Sequence, residues 1–309
     1  MKIGRYLNPA GQEQLGVILG PPNDYRVLNL HAASAARGDS DMPATMDDFI
    51  DRGYAALDLA YKVIAWAEQR YDPEWFTQEA AVPWLIPVKV KTCFAAGRNF
   101  GKHKAETVEY WQKQAANFHN EIPMGFIKLS RTIVATRTEV PRPQESSWFD
   151  YEVEPVAVIG SDAVRISEQD ALKAVFGYTV FNDLSARDIQ RKEMANQSIL
   201  VGKNLPKFGP LGPWILTADE VPDPSVLELK LTVNGSVRQN GLCNDMINSF
   251  PQLIASWSSM GLSRGDVIAG GTPEGVAIGR ANPEDFYLKP GDVVEAEISQ
   301  IGVLETRII

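Results

Sequence analysis

Residues Phe149–Gly160 read FDYEVEPVAVIG and combine a strand pattern with a pair of acids. The second half, Val156–Ile159, is a continuous apolar run, which is typical of a buried strand. Glu152 and Glu154 lie two positions apart, and such positions in a strand point to the same face. Two neighbouring carboxylates repel each other, so the pattern requires a positive partner or the uptake of a proton.

Two more acids follow in FNDLSARDIQ, residues 181–190. Asp183 comes directly after the apolar run VFGYTVF and is therefore predicted to lie at the end of a strand. Asp188 lies further along, where the segment resembles a turn or a short helix. Carboxylates gathered near strand ends offer an all-oxygen site for a hard divalent cation, which would supply the missing positive charge. An ordinary half-exposed strand also shows alternating acids, and these residues alone leave that alternative open.

Composition narrows the class of protein. The chain has 309 residues, of which 44% are hydrophobic and 22% charged, enough for one large domain or two ordinary ones. The net charge of -9 and the lack of a Lys/Arg cluster disfavour nucleic acid and anionic membranes as partners. Only three histidines and two cysteines occur, which disfavours a His- or Cys-rich metal site. We expect Cys93 and Cys243 to be reduced, packed thiols.

The N-terminal region is predicted to be a small α+β domain. Short apolar runs and turns over residues 1 to about 30 predict a strand-rich meander. Residues 46–70 have helical spacing and predict one long helix or two shorter ones. The segment VPWLIPVKVKT, from Val82, is interpreted as a linker, so we place a domain boundary near residue 88. This divides the chain into a domain of residues 1–88 and a catalytic domain of residues 89–309.

The second region is predicted to be mostly β within an α+β class. Strand patterns are interrupted by helical patterns at Lys102–Phe118, Ser167–Ala174 and Met246–Met260. A dinucleotide-binding fold would need regular strand–helix alternation and a glycine fingerprint, and the sequence has neither. The start, MKIGRYLNPAGQEQ, has no apolar signal-peptide core, and no apolar run approaches the roughly 18 residues of a membrane span. We therefore expect a cytoplasmic location.

Several motifs together resemble those of the fumarylacetoacetate hydrolase family, and they occur in that family's order. They are GRNFGKHKAE (97–106), EVE (152–154), NDLSARDIQ (182–190), GK (202–203), FGPLGPW (208–214), GGTPEGV (270–276) and the C-terminal SRGDVI…LKPGDVVEAEISQIGVLETRI. The resemblance covers roughly residues 90–309, with a looser match at the N-terminus. It implies a roll of mixed β-sheets behind a small N-terminal domain, and a homodimer.

The resemblance also implies a metal centre. According to this resemblance, Mg²⁺ or Mn²⁺ is bound by Glu152, Glu154 and Asp183. Lys203 then offsets the excess acid charge and donates a hydrogen bond to an enolate oxygen. From the sequence alone, an ordinary exposed lysine is the favoured interpretation of Lys203, and the resemblance reverses it.

Three further residues are implied to contact the substrate. Arg187 and Gln190 resemble the family's substrate-contacting pair, although Arg187 can instead be structural and pair with Asp188. Thr272 resembles a threonine that contacts the substrate carboxylate, and its structural alternative is a tight turn between strands.

His103 and Glu106 are the pair that bears on reaction type. They are three positions apart near a predicted helix start, so they share a face, and a carboxylate beside an imidazole orients it as a general base. A solvated surface histidine is the alternative. The spacing resembles that of the family's acylpyruvate hydrolases, in which a lid helix brings the dyad over the metal. Tyr110 and Trp111 are expected to pack that lid, or else to meet the far end of the substrate.

These features predict a divalent-metal-dependent hydrolase that cleaves a C–C bond in an acylpyruvate-like β-diketo acid through a metal-bound enolate. The substrate is a small anionic 2-oxo acid, and aromatic catabolism is the family's common setting. The alternative is a metal-dependent 2-oxo acid decarboxylase or tautomerase/isomerase on the same scaffold, because related decarboxylases use similar dyads. A non-catalytic protein that keeps the fold is a third hypothesis, which the intact set of site residues disfavours.

Overall fold

A computed structural model of the chain describes residues 1–22, 24–107 and 122–309. The strands of the described residues are β1 (Lys2–Leu7), β2 (Glu13–Leu19), β3 (Arg26–Asn29), β4 (Phe76–Gln78), β5 (Cys93–Ala96), β6 (Gly125–Lys128), β7 (Ile133–Val134), β8 (Thr138–Val140), β9 (Phe149–Asp150), β10 (Val153–Ile159), β11 (Val175–Asn182), β12 (Ser185–Ala186), β13 (Gly209–Thr217), β14 (Glu228–Val233), β15 (Ser236–Leu242), β16 (Val267–Ala269), β17 (Val293–Ile298) and β18 (Gly302–Ile308). The α-helices of the same residues are α1 (Leu30–Arg37), α2 (Met46–Arg52), α3 (Tyr54–Arg70), α4 (Gly101–Glu106), α5 (Glu168–Ala171), α6 (Arg187–Met194) and α7 (Phe250–Trp257).

The N-terminal region begins with the predicted meander, in which β1, β2 and β3 pair antiparallel in sequence order. The helical pattern over residues 46–70 forms two helices, α2 and α3, because Gly53 between them has a φ of 52° that a helix cannot include. Strand β1 also pairs with β13, with Lys2 opposite Leu216. The meander therefore extends the sheet of the C-terminal region, and the boundary near residue 88 remains a prediction.

The largest sheet is built around β10. Its strands run in the order β4-β3-β2-β1-β13-β11-β10-β16-β5-β6, and β7 adds to β13. All seven residues of β10 are buried between β11 and β16, as the apolar run predicts. Since β7 follows β6 in the chain but pairs with β13, the sheet curls back on itself.

A second sheet of the described residues has the order β15-β14-β17-β18-β8 and shares a hydrophobic core with the first. Val153 and Ala157 of β10 belong to the same buried cluster as Leu229, Ala296 and Leu304 of the second sheet. Each sheet buries one apolar face against the other, which is how sheets in two-layer β folds are stabilised. The predicted α+β, mostly β, roll of mixed sheets is confirmed.

The helical patterns of the C-terminal region are found in shortened form. Within Lys102–Phe118 the structure describes α4, and Tyr110 and Trp111 lie outside the described residues. The other two patterns contain α5, followed by a short 3₁₀ turn, and α7. No helix among the described residues has both the length and the apolar character needed to cross a membrane. Both cysteines are buried free thiols, as predicted.

Candidate active site

The antiparallel pair β10–β11 brings the three predicted metal ligands together. Val153 is opposite Asn182, so Glu152, just before β10, lies beside Asp183, just after β11. The Asp183 amide donates to the Glu152 carbonyl at 2.9 Å. One carboxylate oxygen from each of Glu152, Glu154 and Asp183 lies within 4.8 Å of the others, and all three residues are buried.

Two of the three acids are paired with buried cations. Lys203 Nζ donates to Glu152 Oε2 at 2.6 Å and to Asp183 Oδ2 at 2.7 Å. Arg187 donates to Glu152 Oε1 at 2.6 Å. Burial alone would raise the pKa of Glu152, but Arg187 and Lys203 outweigh it and hold that pKa well below the ordinary value. These cations supply the positive partner for Glu152, which is one acid of the Glu152–Glu154 pair.

Sequence reasoning missed two members of this network. Lys128, at the end of β6, donates to Asp183 Oδ1 and to the Leu184 carbonyl at 3.3 Å, and it is fully buried. Asp150 accepts from Arg187 Nε at 2.7 Å and from the backbone amide of Ala277 at 2.8 Å. The position of Asp150, two residues before Glu152, is the one signal in the sequence that points to it.

Glu154 is the acid that remains uncompensated. It accepts a hydrogen bond from the Gly271 amide at 3.1 Å, and no basic side chain among the described residues forms an ion pair with it. Burial raises the pKa of Glu154 well above its ordinary value, and the charges of Asp183 and Glu152 raise it further. An unpaired buried carboxylate costs several kcal/mol, so this position favours either a proton or a bound cation.

The donor set fits a divalent cation. Three carboxylates supply only oxygen atoms, which are the ligands that Mg²⁺ and Mn²⁺ prefer, and they leave positions for other ligands. The excess negative charge at Glu154 is the charge that such a cation would neutralise. Glu152, Glu154 and Asp183 are therefore the residues that would hold it.

His103 of the predicted dyad lines the same cavity, and Glu106 lies behind it. His103 is buried, and it lines the cavity together with Glu152, Glu154 and Asp183. Its Nδ1 atom lies 2.9 Å from Glu106 Oε1, and Glu106 is itself held by the Gly275 amide, 2.9 Å from Oε2. Because a carboxylate only accepts, the bond assigns the hydrogen to Nδ1 and leaves Nε2 as the basic atom of a neutral ring.

The predicted substrate contacts are also brought to this cavity, which is lined by Arg187, Gln190 and Thr272. Arg187 donates to Gln190 Oε1 at 3.0 Å and binds Asp150 and Glu152 rather than Asp188. The suggested Arg187–Asp188 pair is therefore wrong.

Asp188 has a structural contact and is not part of the cluster formed by Glu152, Glu154 and Asp183. Its carboxylate accepts a hydrogen bond from the Ser146 hydroxyl. It lies on the first turn of α6, one residue beyond Arg187, and it also accepts a hydrogen bond from the backbone amide of Ile189 at 2.9 Å.

Thr272 has a fixed hydrogen-bond direction. Gln239 Oε1 accepts from the Val153 amide at 2.9 Å, so its Nε2 must be the donor to Thr272 Oγ1, at 2.8 Å. The Thr272 oxygen thus accepts from the protein, and its own hydrogen is left to donate elsewhere. A side chain with this arrangement can bind a carboxylate oxygen.

The chain is similar to known proteins in sequence. Residues 92–309 match the family model described as fumarylacetoacetate (FAA) hydrolase C-terminal. The chain is 36% identical over 286 residues to the mitochondrial oxaloacetate tautomerase FAHD2A of Homo sapiens, covering 92% of this chain and 84% of that protein. It is 32% identical over 293 residues to the oxaloacetate tautomerase YisK of Bacillus subtilis, covering 93% of this chain and 94% of that protein.

Solved structures extend the likeness to the whole fold. A fumarylacetoacetate hydrolase from psychrophilic Exiguobacterium antarcticum superposes with a TM-score of 0.77 at 27% identity, covering 100% of this chain and 99% of the other. A fumarylpyruvate hydrolase from Pseudomonas aeruginosa, solved in complex with Mn²⁺ and pyruvate, gives a TM-score of 0.62 at 27% identity, covering 72% of this chain and 91% of the other. The chain therefore belongs to the fumarylacetoacetate hydrolase family of enzymes.

Proposed function

We propose that the chain is a divalent-metal-dependent tautomerase of oxaloacetate or a closely similar 2-oxo acid. The observation that carries the proposal is that the buried acids Glu152, Glu154 and Asp183 and the His103–Glu106 dyad line or adjoin one cavity. Proteins named as oxaloacetate tautomerases are similar to this chain over more than nine tenths of its length. This similarity favours the tautomerase alternative over the hydrolysis that the sequence motifs favoured.

A divalent cation at the three acids would polarise the 2-oxo group and stabilise the negative charge that develops on its oxygen. Lys203 donates a hydrogen bond to the same oxygen. Burial lowers the pKa of Lys203, but the charges of Asp183 and Glu152 raise it more, so the side chain stays protonated. Thr272 donates a hydrogen bond from its hydroxyl group to the substrate carboxylate. Gln190, whose amide oxygen is held by Arg187, is left with its amide nitrogen toward the ligand.

The proton transfer is assigned to His103. Its Nε2 atom takes a proton from the carbon next to the 2-oxo group, and the hydrogen bond from the protonated Lys203 stabilises the negative charge that forms on the 2-oxygen. The 2-oxygen then takes a proton from solvent to give the enol, and His103 returns its proton to solvent, so that atoms and charge balance and the enzyme returns to its starting state. Glu106 accepts the hydrogen bond from Nδ1 and thereby leaves the lone pair of Nε2 to act as the base.

Hydrolysis of an acylpyruvate remains a second candidate, because the same dyad can deprotonate water. It is supported by the likeness to the fumarylpyruvate hydrolase structure. Decarboxylation would use the same enolate-stabilising groups. The three reactions differ in product: a shifted keto–enol ratio, two carboxylic acids, or carbon dioxide.

The test is to follow freshly dissolved enol-oxaloacetate by ultraviolet absorbance, with proton NMR of the products, and fumarylpyruvate in a parallel assay. We expect keto-oxaloacetate to form faster than in buffer, in proportion to protein, only with Mg²⁺ or Mn²⁺ present. Unchanged tautomerisation together with cleavage of fumarylpyruvate would assign hydrolysis instead. The homodimer and the cytoplasmic location remain predictions, and light scattering of the purified protein would test the first.

A further inference from the structure

Arg98 is a cavity-lining cation that has no acidic partner among the described residues. It lines the cavity that holds the three acids. None of the described residues accepts a hydrogen bond from its Nε or Nη2 atom, and both atoms are shielded from solvent. Within the described part of the chain it is the one side chain with two such nitrogens. N–H groups that lose water without gaining an acceptor destabilise a protein, so their retention at a site calls for a ligand.

The backbone holds Arg98 in a strained position. Its φ of 54° is left-handed, a conformation that costs free energy for any residue other than glycine. The next residue, Asn99, fixes the turn, because its side-chain Nδ2 donates to the carbonyls of Asn248 and Gly270, both at 2.8 Å. A strained residue whose neighbour is anchored in this way is held in the cavity wall by the surrounding fold.

The other cations of the wall are already engaged. Arg187 binds Asp150 and Glu152, and Lys203 binds Glu152 and Asp183. Arg98 is thus the basic side chain of the described cavity wall that has no acid bound to it. Burial lowers the pKa of Arg98 from its usual value, as expected for a cation without a counter-charge.

The formal charge of the site favours an anionic ligand. The cavity wall carries three acids and three bases, and one acid and one base lie directly behind it. The wall residues are Glu152, Glu154, Asp183, Arg98, Arg187 and Lys203, and those behind it are Asp150 and Lys128. These charges cancel when all are ionised, and Glu106 beside a neutral His103 ring adds one negative charge. A bound divalent cation would therefore leave the site with a net positive charge.

We propose that Arg98 determines specificity by binding the second carboxylate of a dicarboxylic 2-oxo acid, the one remote from the 2-oxo group. The inference rests on the proposed function, since it assigns the first carboxylate and the 2-oxo oxygen to the cation site. A guanidinium binds a carboxylate through two parallel N–H bonds, which gives orientation as well as affinity. The side chain as a whole is only half-buried, so it is not sealed from the cavity.

Binding of ligands that do not turn over tests this inference separately from catalysis. The Mn²⁺-loaded protein is titrated by calorimetry with 3,3-difluoro-oxaloacetate, which cannot enolise, and with pyruvate, which lacks the second carboxylate. We expect wild type to prefer the dicarboxylate. Arg98→Met is expected to weaken dicarboxylate binding by about 10- to 100-fold and to leave pyruvate binding within about threefold. Arg98→Lys keeps the positive charge but loses the paired N–H donors of the guanidinium. Its affinity for the dicarboxylate is expected to lie between those of wild type and Arg98→Met.

Arg165→Met is the matched control, because Arg165 is also an arginine with a left-handed φ, of 51°, but is exposed and lines none of this cavity. A preference that survives in Arg98→Met, or equal weakening of both ligands in that variant, overturns the inference. So does wild type that binds neither ligand. If wild type shows the Arg98-dependent preference but does not tautomerise oxaloacetate, the inference stands and the proposed function fails.

Discussion

Lys128 donates a hydrogen bond from its ammonium group to Asp183 Oδ1, and both side chains are buried from solvent. The other oxygen of Asp183 accepts from Lys203, so two lysines share one carboxylate inside the protein. Burial lowers the pKa of Lys128, and the nearby charge of Asp183 only partly restores it. The arrangement makes Lys128 a structural counter-charge of the site, held where an unpaired charge is expensive.

Replacing Lys128 is therefore expected to destabilise the fold. Lys128→Met removes one cation of a buried pair and should lower the free energy of unfolding by about 3 kcal/mol, measured by urea denaturation. Lys173→Met is the control, because Lys173 forms an ion pair with Asp170 at 2.7 Å on the surface, where such pairs contribute little. If both variants lower the free energy of unfolding by the same small amount, Lys128 is not required as a counter-charge.

Glu154→Gln should have the opposite effect on the metal-free protein. The raised pKa of Glu154 means that the folded state disfavours its charged form, so stability falls as the pH rises above the ordinary glutamate range. Glutamine keeps an oxygen for the Gly271 amide and carries no charge. In the presence of a chelator at neutral pH, we expect a higher melting temperature than that of wild type, and a difference that vanishes near pH 4. A lower melting temperature at neutral pH would contradict the view of Glu154 as uncompensated.

His103→Ala should separate catalysis from metal binding. Loss of a positioned general base typically lowers a rate by about 10²- to 10⁴-fold, and we expect a fall in kcat of that order with metal affinity unchanged. His31→Ala is the matched control, since His31 contacts Gln14 and the Pro43 carbonyl in the N-terminal region, away from the cavity. A His103→Ala variant that still catalyses tautomerisation at the wild-type rate would remove His103 from the mechanism.

Glu106→Gln tests whether Glu106 works through His103. Glutamine can still accept from the ring, but it supplies no negative charge and can turn its amide toward His103. We expect a smaller loss of kcat than in His103→Ala, and little added loss when the two changes are combined, because both act on one group. Independent, multiplicative losses measured in the double variant would mean that Glu106 has a role of its own.

The sequence predicted that Glu152, Glu154 and Asp183 lie together, because these acids are close to recognisable strand ends. An apolar run predicts β10, and an acid that follows an apolar run predicts the position of Asp183. The contacts of Lys128 and Asp150 could not be predicted in the same way. Lys128 and Asp183 are 55 positions apart, and they meet only because the sheet curls until the end of β6 approaches the end of β11. Periodicity identifies strands, but it does not give their order in a sheet.

Reaction type was harder to predict than the site, for a chemical reason. A base that is held over an enolate site can take a proton from carbon or from water, so the His103–Glu106 spacing alone does not separate tautomerisation from hydrolysis. The candidate substrates differ in the group that is remote from the 2-oxo acid end. Among the described residues, Arg98 is the one that we propose to bind this group. Arg98 lies within the motif GRNFGKHKAE, but that motif was interpreted through His103 and Glu106. The significance of Arg98 follows from its two nitrogen atoms that have no acceptor among the described residues.

The central claim is that Glu152, Glu154 and Asp183 form a cation site that holds the 2-oxo acid end of the substrate. The most direct measurement is a calorimetric titration of Mn²⁺ in the presence and absence of oxalate, a mimic of the pyruvate enolate, with wild type and Glu154→Gln. We predict that wild type binds Mn²⁺, that oxalate binds only when Mn²⁺ is present, and that both signals are lost in the variant. Wild type that binds no divalent cation, or a variant that binds Mn²⁺ and oxalate as wild type does, would contradict the claim.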